Sequence, residues 1–445
     1  MGWELELVRS PDFGPPERFT VSALGEIAVP VDLDGVGLDL VTSQRILFDL
    51  QRTVVTIQER ALKAKAMLMR QADPTLSLKD YRPRSVQTLF GTLLLRVPRL
   101  VRHGSRLAPP CLLRSSARSS TEYGEMLSCL GAFMSYRMAE RIVGELFPFA
   151  VGRASSTARR QLLRRATCLA TDRDCAEPDR PTATAIDLGI DTTFIRSNSA
   201  EGPRHHEVLV GVGTNDRGKT VKLGAVISAC DKPQGLIKRT LHDLGQADAT
   251  RITTFTDGDK MLRRYLKNAG VAAAPILDWQ HLSRRVQIAK TTAKGLRCLT
   301  NAERRARPLI VKTLESLHWK LWHGNLNSAR QAMSRIFKLL EPFAIDRTRA
   351  TTAVAAKRLR TAMTKLRDYI EGQSAYLVDY GLRQRHGQPI GTSTTEGLAN
   401  TLVNQRMNKL QQMRWSATGA HAVITVRAHH FNSLQSAATI QQGAA

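Results

Sequence analysis

The chain has 445 residues, enough for two or three domains, and carries 65 lysines and arginines against 39 aspartates and glutamates, a formal charge of +26. These basic residues are spread along the chain, whereas a surface made only for solubility usually mixes both signs, so we expect a polyanionic partner such as nucleic acid. No apolar run reaches the ~18–20 residues that cross a bilayer, which argues against a membrane protein.

The beginning of the chain and its cysteines indicate a cytoplasmic protein. The segment MGWELELVRSPDF is acidic at first and lacks the basic and apolar parts of a signal peptide. The six cysteines are scattered, with neither a CxxC pair nor zinc-ligand spacing. We expect them to be reduced thiols.

Residues 1–118 predict a mixed β/α region with one long helix. Short alternating stretches before residue 40 indicate strands, and Leu40–Ala72 has apolar residues at helical spacing without glycine or proline. A β-rich segment around Gly91 predicts a strand pair.

Residues 119–180 predict helices that resemble a helix-turn-helix, the arrangement that places a basic second helix in the major groove. Ser155-Ser156 can cap this second helix. It carries the candidate DNA contacts Arg159, Arg160, Arg164 and Arg165. An ordinary solvated helix fits the pattern equally well, because many basic helices start this way.

Residues 184–288 have the element order βββαβαβα: three hairpin-linked strands, then crossover units that add parallel strands. This is the order of an α/β ribonuclease H-like domain. Residues 289–385 predict an all-helical, basic insertion into that domain, and residues 386–445 its last part, with a late helix and a tail.

Three acidic residues stand where such a sheet can bring them together. Asp191 lies inside the first strand, Asp257 ends the fourth, and Glu396 opens the late helix. Because strands one and four are neighbours in this topology, their aspartates can lie side by side. Gathered carboxylates repel one another unless a cation neutralises them, and two Mg²⁺ or Mn²⁺ ions ~4 Å apart would suit phosphodiester chemistry.

Other acidic residues compete for these roles. Asp187 shares a strand face with Asp191, and Asp259 follows Asp257 after one glycine; we prefer Asp191 and Asp257. Asp278 and His281 begin the helix after the next strand, a spacing that is weak evidence by itself.

Glu396 has two interpretations that can coexist. Ser393–Glu396 fits a capping box, in which the glutamate accepts from an orphan backbone N–H. At 100° per residue, however, Glu396 falls at the edge of the inward-facing stripe of its helix, and we therefore prefer a metal ligand. The stripe consists of Ala399, Leu402, Val403, Met407, Leu410 and Met413.

Several segments resemble bacterial insertion-sequence transposases of the ISKra type, which are Asp-Asp-Glu enzymes related to the Mutator-like group. The segments are GIDTTFIRS, TFTDGD, ILDWQHL and STTEGLANTLVNQRMNKLQQMRWSATGAHAVITVR. The last is the most specific, since these residues fall in family register: Glu396, Arg406, Met407, Lys409, Met413, Trp415, Gly419 and Ala420. With VQTLFGTLLLRVPRL and MSYRMAERIVGELFP, the resemblance spans about residues 80–432.

The resemblance implies a transposase that binds terminal inverted repeats and cleaves and joins DNA strands. It implies a catalytic triad of Asp191, Asp257 and Glu396 holding two Mg²⁺ or Mn²⁺ ions. Asp278 and His281 match the C/D-x-x-H element of the wider clade, which makes His281 a further catalytic candidate. The implied partners are double-stranded DNA (transposon ends and target) and further copies of the chain, in a dimer or higher synaptic complex in the bacterial cytoplasm, associated with the nucleoid.

Further candidate DNA contacts come from basic runs, from the family register and from two tryptophans. They are Arg284, Arg285, Trp319, Trp322, Arg406 and Lys409. Trp319 and Trp322 lie three residues apart on one helical face. A buried aromatic pair is the preferred interpretation, and stacking on an extruded base is the alternative.

Two features depart from the family. The chain lacks the paired cysteines that many relatives carry, so no zinc module is implied, and Thr192-Thr193 follow the first aspartate where relatives often have glycine. Two other functions remain open at this stage: a transposase-derived DNA-binding protein without activity, and a ribonuclease H-like nuclease without strand transfer.

Overall fold

The computed structural model describes residues 2–10, 14–27, 36–103, 118–147, 155–172, 181–344, 350–409 and 413–443. The chain divides into two compact units, Met1–Ala170 and Thr171–Ala445. Its fold is mixed α/β, and the largest sheet combines parallel and antiparallel strands. Across the described ranges, no helix combines the length and the apolar character needed to cross a bilayer.

The first unit opens with a strand pair and one long helix. Strands β1 (Trp3–Arg9) and β2 (Glu17–Gly25) are antiparallel, and helix α1 spans Leu40–Ala72. The helix begins where the Asp39 carboxylate accepts a hydrogen bond from the Thr42 N–H at 2.6 Å. The helix predicted over Leu40–Ala72 is confirmed.

An antiparallel hairpin follows α1. Its strands are β3 (Leu76–Thr88) and β4 (Gly91–Arg102), which confirms the strand pair predicted around Gly91. Gly91 has a φ of 129° at the turn, a conformation that residues with a side chain rarely adopt. The hairpin packs on α1 through the buried residues Ala66, Leu76 and Leu100.

Three helices complete the first unit: α2 (Thr121–Phe133), α3 (Tyr136–Leu146) and α4 (Ser155–Asp172). They pack through a small core of Tyr123, Leu127, Val143 and Ala158. Because α4 already includes Ser155 and Ser156, the cap predicted at these residues is corrected: they form its first turn. The turn between α3 and α4 lies outside the described residues.

The second unit contains a five-stranded sheet of order β7-β6-β5-β8-β9. Its strands are β5 (Ala185–Arg196), β6 (His205–Asn215), β7 (Thr220–Val226), β8 (Arg251–Thr256) and β9 (Ile276–Leu277). The first three are antiparallel neighbours, whereas β8 and β9 run parallel to β5. The crossover helices are α5 (Pro233–Asp243), α6 (Lys260–Asn268) and α7 (Trp279–Lys294), so the predicted order βββαβαβα is confirmed.

Helices cover both faces of the sheet, which explains why its central strands are apolar almost throughout. On one face, Leu188 and Ile190 pack with Ile237 of α5 and Leu262 of α6. On the other, a Cβ at Gly224 would lie 2.7 Å from side chains of Leu402 and Ile424, so the chain's last elements press directly on β7.

A helical segment lies between α7 and the late helix. It comprises α8 (Asn301–Trp322), α9 (Leu326–Leu339), α10 (Ala350–Gly372) and α11 (Tyr380–Arg385). These helices share one core with α7, which includes Leu282, Ile310, Leu314, Ile336 and Leu366. The helical prediction for residues 289–385 is confirmed within the described residues.

The late helix changes its winding. It starts as α12 (Ser393–Leu398), continues as a π-helix over Ala399–Lys409, and is followed by α13 (Ala417–Gly443). Arg427 of α13 is buried and binds backbone carbonyls of the π-helix. It donates to the Leu402 carbonyl at 2.8 Å and also to the Thr401 carbonyl. The prediction of one regular helix with 100° per residue is therefore corrected beyond Leu398.

A candidate acidic site at the strand ends

Three aspartates lie at the same level, one within a strand and two directly after the adjacent parallel strands. The register pairs Gly189 of β5 with Phe255 of β8, and Thr256 of β8 with Leu277 of β9. Extending this register places Asp191 level with Asp257, and Asp257 level with Asp278. Since neighbouring strands lie ~4.8 Å apart, the three residues form a row at one edge of the sheet.

Asp191 is a largely buried carboxylate with a histidine and two further aspartates nearby. Its Oδ1 accepts from the Thr192 N–H at 2.7 Å, and its Oδ2 lies 3.8 Å from Nε2 of His281. Burial raises the pKa of Asp191, and the negative charges of Asp257 and Asp278 raise it further, against the opposing effects of Thr192 and His281. A bound cation would relieve this repulsion.

Asp257 sits in a tight turn directly after β8. Its Oδ1 accepts from the Asp259 N–H at 2.9 Å, and Gly258 between them has a φ of 95°. Asp259, the alternative to Asp257, caps α6 by accepting from the Met261 N–H at 2.6 Å. The Asp259 carboxylate thus caps a helix, whereas the Asp257 carboxylate accepts one hydrogen bond within its turn.

Asp278 joins two parts of the site. It is fully buried, and its Oδ1 caps α7 by accepting from the Gln280 N–H at 2.8 Å. Its Oδ2 accepts from the hydroxyl of Thr392, just before α12. His281, in the first turn of α7, has its Nε2 3.8 Å from Oδ2 of both Asp278 and Asp191, so the structure brings His281 and Asp191 together.

The helix that carries Glu396 rests on the strand that carries Asp191. A Cβ added at Gly189 would lie 2.5 Å from Oγ1 of Thr395 and 3.1 Å from Cγ2 of Thr392, both of them buried. Only the absence of a side chain at Gly189 permits this approach. Thr395, the residue before Glu396, therefore lies against Gly189 of β5, which is two residues from Asp191 along that strand.

The Glu396 side chain itself lies outside the described part of the structure, as do those of Ser393 and Thr394. The capping-box interpretation falls on these side chains and stays a prediction. Within the described side chains, no group of three or more His, Cys, Asp or Glu residues could hold a metal ion. In this row, Asp191 and Asp257 offer the oxygen ligands that Mg²⁺ and Mn²⁺ prefer. The carboxylate of Glu396 would have to complete a metal site with them.

One acidic residue of this region escaped the sequence analysis. Burial raises the pKa of Glu207 on β6, and so do the nearby charges of Asp259 and Asp257. Its position between His206 and Val208 on a strand gave no signal of this proximity to Asp257 and Asp259.

Among the candidate DNA contacts, Arg406 requires a correction. It is 3% exposed, its guanidinium lies 5.0 Å from the Trp415 ring centroid, and its Nη1 lies 3.1 Å from Sδ of Met413. Arg406 follows Leu402 by four residues and Val403 by three, so it lies on the buried face of its helix and is not available for contact with DNA. Lys409 is exposed.

The other basic candidates lie at the surface of their own units. Arg159, Arg160 and Arg164 are exposed on α4, whereas Arg165 forms an ion pair with Glu125 at 3.1 Å. On α7, Arg284 and Arg285 are exposed as well. The Arg285 guanidinium also lies 4.1 Å from the centroid of the Tyr369 ring, a contact that the sequence did not indicate.

The two tryptophans do not form the buried pair that the sequence favoured. Trp322 is half-buried and packs against Trp279 at 4.8 Å between ring centroids. Trp319 is 53% exposed and contacts the ring of His318 at 5.3 Å. The expected buried role is therefore corrected for Trp319, and its stacking on a base stays a prediction.

No protein-family model matches the chain, and no curated protein shows significant similarity to it.

Proposed function

We propose that the chain is a DNA transposase of the Asp-Asp-Glu type, in which Asp191, Asp257 and Glu396 form the catalytic triad. The observation that carries the proposal is the row of aspartates on adjacent strands, together with a helix that brings the Glu396 backbone to the same strand as Asp191. These two features bring together residues that are far apart in the chain.

The sheet supports a ribonuclease H-like assignment of the domain. Three antiparallel strands followed by two parallel ones, in the order β7-β6-β5-β8-β9, match the arrangement expected for that fold. In this proposal the helices between α7 and α12 are an insertion that separates Glu396 from the two aspartates.

The chemistry of the donors fits divalent metal ions. Asp191, Asp257 and Glu396 would hold two Mg²⁺ or Mn²⁺ ions, which supply activation of a nucleophilic oxygen and stabilisation of the leaving oxygen when bound. Asp278 keeps the start of α7 and the approach to α12 in place through its two accepted hydrogen bonds. His281 lies close enough to Asp191 to orient it or to contact a phosphate oxygen when protonated.

Positive charge supports DNA as the substrate. The chain carries a formal charge of +26, and α4 presents three exposed arginines. A cavity of about 600 Å³ between α7 and α8 is lined in part by Lys294, Arg304, Arg307 and Lys312. Such groups attract phosphates without reading sequence, and we assign the reading of terminal repeats to the first unit.

The proposed reaction has two steps. Hydrolysis of one phosphodiester at the end of the element leaves a 3′-hydroxyl, and this hydroxyl then attacks a phosphodiester of the target DNA, with loss of the target's own 3′-oxygen. Both ends of the element must be held together for this, so we expect a dimer or a higher synaptic complex.

The test is Mg²⁺-dependent nicking of a plasmid that carries the gene with its flanking DNA, comparing wild type with Glu396→Gln. Glutamine keeps the size of the side chain and can accept a hydrogen bond, but it lacks the charge that holds a metal ion. We expect nicking to fall at least about 100-fold, since a metal ligand contributes several kcal/mol to the transition state. DNA affinity and melting temperature should stay unchanged.

The other functions appear as distinct outcomes of this test. Nicked 3′ ends that never join target DNA would indicate a nuclease without strand transfer. A wild-type chain that binds the flanking DNA but does not nick it would indicate a DNA-binding protein derived from a transposase. Equal nicking by Glu396→Gln and wild type would remove Glu396 from the triad.

A further inference from the structure

Two side chains of the helical segment hold the turn that presents Asp257. The hydroxyl of Tyr369, in α10, donates to the Asp257 carbonyl at 2.6 Å. The side-chain amide of Gln373 donates to the Gly258 carbonyl at 3.0 Å. Two consecutive carbonyls of one turn are thus bound by residues more than a hundred positions later in the chain.

Both donors are themselves held by arginines. The Arg285 guanidinium lies 4.1 Å from the centroid of the Tyr369 ring. Arg263 donates to Oε1 of Gln373 and lies 4.4 Å from the centroid of the Tyr376 ring. These contacts restrict the rotamers of Tyr369 and Gln373, as is typical of side chains that must hold another group in place.

The turn depends on outside donors because it lies past the end of its strand. β8 ends at Thr256, so the ladder with β5 no longer fixes the carbonyls of Asp257 and Gly258. A side chain at Gly258 would collide with Gln373, at 2.8 Å from its Cδ, and would have to adopt a φ of 95°. Gln373 can therefore approach the turn because residue 258 is a glycine.

The neighbouring strand is held in the same way. The hydroxyl of Tyr380 donates to the Leu277 carbonyl at 2.8 Å, one residue before Asp278.

We infer that Tyr369 and Gln373 are positioning residues for Asp257, which fix its peptide plane so that its carboxylate points at the shared metal position. The inference rests on the function proposed above. It makes the helical segment a working part of the acidic site, in addition to any contact with DNA.

The experiment compares Tyr369→Phe with the matched control Tyr376→Phe. Both changes remove one tyrosine hydroxyl near the end of the same segment, but the Tyr376 hydroxyl makes no hydrogen bond within the described residues. The readout is Mn²⁺ binding to the full-length chain. Binding is monitored through the electron paramagnetic resonance signal of the Mn²⁺ that remains free. We expect Tyr369→Phe to weaken Mn²⁺ binding about 10-fold, the effect usual for residues that orient a ligand, and Tyr376→Phe to leave it unchanged.

A second readout separates positioning from folding. The Mg²⁺ concentration that gives half-maximal nicking should rise about 10-fold in Tyr369→Phe, while DNA affinity stays unchanged. If Tyr369→Phe melts below the assay temperature, Gln373→Met replaces it, since methionine keeps the length of the side chain and removes the donor to Gly258. The same rise is then expected.

The outcomes distinguish this inference from the proposed function. Equal Mn²⁺ affinity in wild type and in the folded Tyr369→Phe or Gln373→Met variant would overturn the positioning role and leave the transposase proposal standing. Weaker Mn²⁺ binding by Tyr369→Phe in a chain that never cuts DNA would support the positioning role and reject the transposase. A wild-type chain that does not bind Mn²⁺ would overturn both.

Discussion

Strand β5 carries two aspartates, Asp187 and Asp191, on one face and four residues apart, and their surroundings differ. Asp187 borders a cavity of about 300 Å³ that is also lined by Arg251, Thr253 and Arg383. Burial raises the pKa of Asp187, but a hydrogen bond from Thr253 and the charges of both arginines oppose that rise. Around Asp191 the nearby carboxylates of Asp257 and Asp278 raise the pKa further.

The difference shows how neighbours assign a role to a carboxylate. Asp187 has positive charge nearby from Arg251 and Arg383, which partly offsets the cost of its burial. Asp191 has two aspartates as well as His281 nearby, and a cation would relieve the repulsion among the carboxylates. The sequence favoured Asp191 over Asp187, but the two share a strand face and a residue type, and their different surroundings could not be predicted from it.

The largest expected effect is on catalysis, in a direct comparison of Asp191→Asn with Asp187→Asn. Loss of a metal ligand should lower the nicking rate of Asp191→Asn at least about 100-fold. Asp187→Asn should retain nicking within about threefold, because its surroundings already balance its charge. The measurement is the initial rate of plasmid nicking at saturating Mg²⁺. A loss in Asp187→Asn as large as in Asp191→Asn would show that the surroundings of the two residues do not decide their roles.

A second effect concerns Gly189, which lies between the two aspartates. Gly189→Ala adds a methyl group into the space of Thr395 and Thr392, so α12 must shift from β5. We expect a destabilisation of about 1–3 kcal/mol, measured by chemical unfolding, together with weaker nicking.

The control for this change is Gly397→Ala, in α12 itself. A Cβ at Gly397 meets no atom within 4 Å, and alanine is the better helix former. Gly397→Ala should therefore be neutral or stabilise the chain by up to about 1 kcal/mol. If Gly189→Ala were as stable as wild type, the close contact between α12 and β5 would be incorrect.

The smallest effect is a pH-dependent gain in stability of metal-free Asp191→Asn. Because the pKa of Asp191 is raised in the folded chain, the folded state holds this proton more tightly than the unfolded state. The stability that protonated Asp191 contributes is therefore fully present below the unfolded pKa of about 4. It is lost as the pH rises through the pKa of Asp191 in the folded chain. Asparagine does not titrate and loses no stability in this way, so Asp191→Asn should become more stable than wild type as the pH rises.

The measurement is the melting temperature in a metal chelator at pH 4 and pH 8. We expect Asp191→Asn to melt about 2–4 °C above wild type at pH 8, the shift that about 1 kcal/mol produces, and to lose this advantage at pH 4. Mg²⁺ should then stabilise wild type but not the variant. An identical difference at both pH values would mean that Asp191 is not strained by its neighbours.

The sequence predicted the parts of the fold that depend on local periodicity. The 33 residues of α1 and the alternation of strands and helices after residue 184 appear as expected, because long, regular patterns leave few alternatives. Asp191 and Asp257 could also be expected side by side, since their strands are neighbours in this topology, whereas Asp278 was not expected to join them.

The features that the sequence did not indicate depend on distant contacts. Arg406 lies on the apolar stripe of its helix, four residues after Leu402, but a charged side chain was not expected to be buried against the Trp415 ring. Tyr369 meets Asp257 across 112 positions of the chain, and no local pattern distinguishes it from other helical tyrosines. Burial of a charged residue and long-range hydrogen bonds are set by tertiary packing, which residue type and local pattern do not reveal.

The contact at Gly189 also limits how this chain can vary among its descendants. Gly189 and Thr395 lie 206 positions apart but use the same space, so a side chain at one position requires a smaller residue at the other. A single substitution that enlarges either side chain would therefore give a destabilised chain. The two positions should therefore change together or not at all, and in any lineage that keeps α12 on β5 the pair would act as one inherited unit.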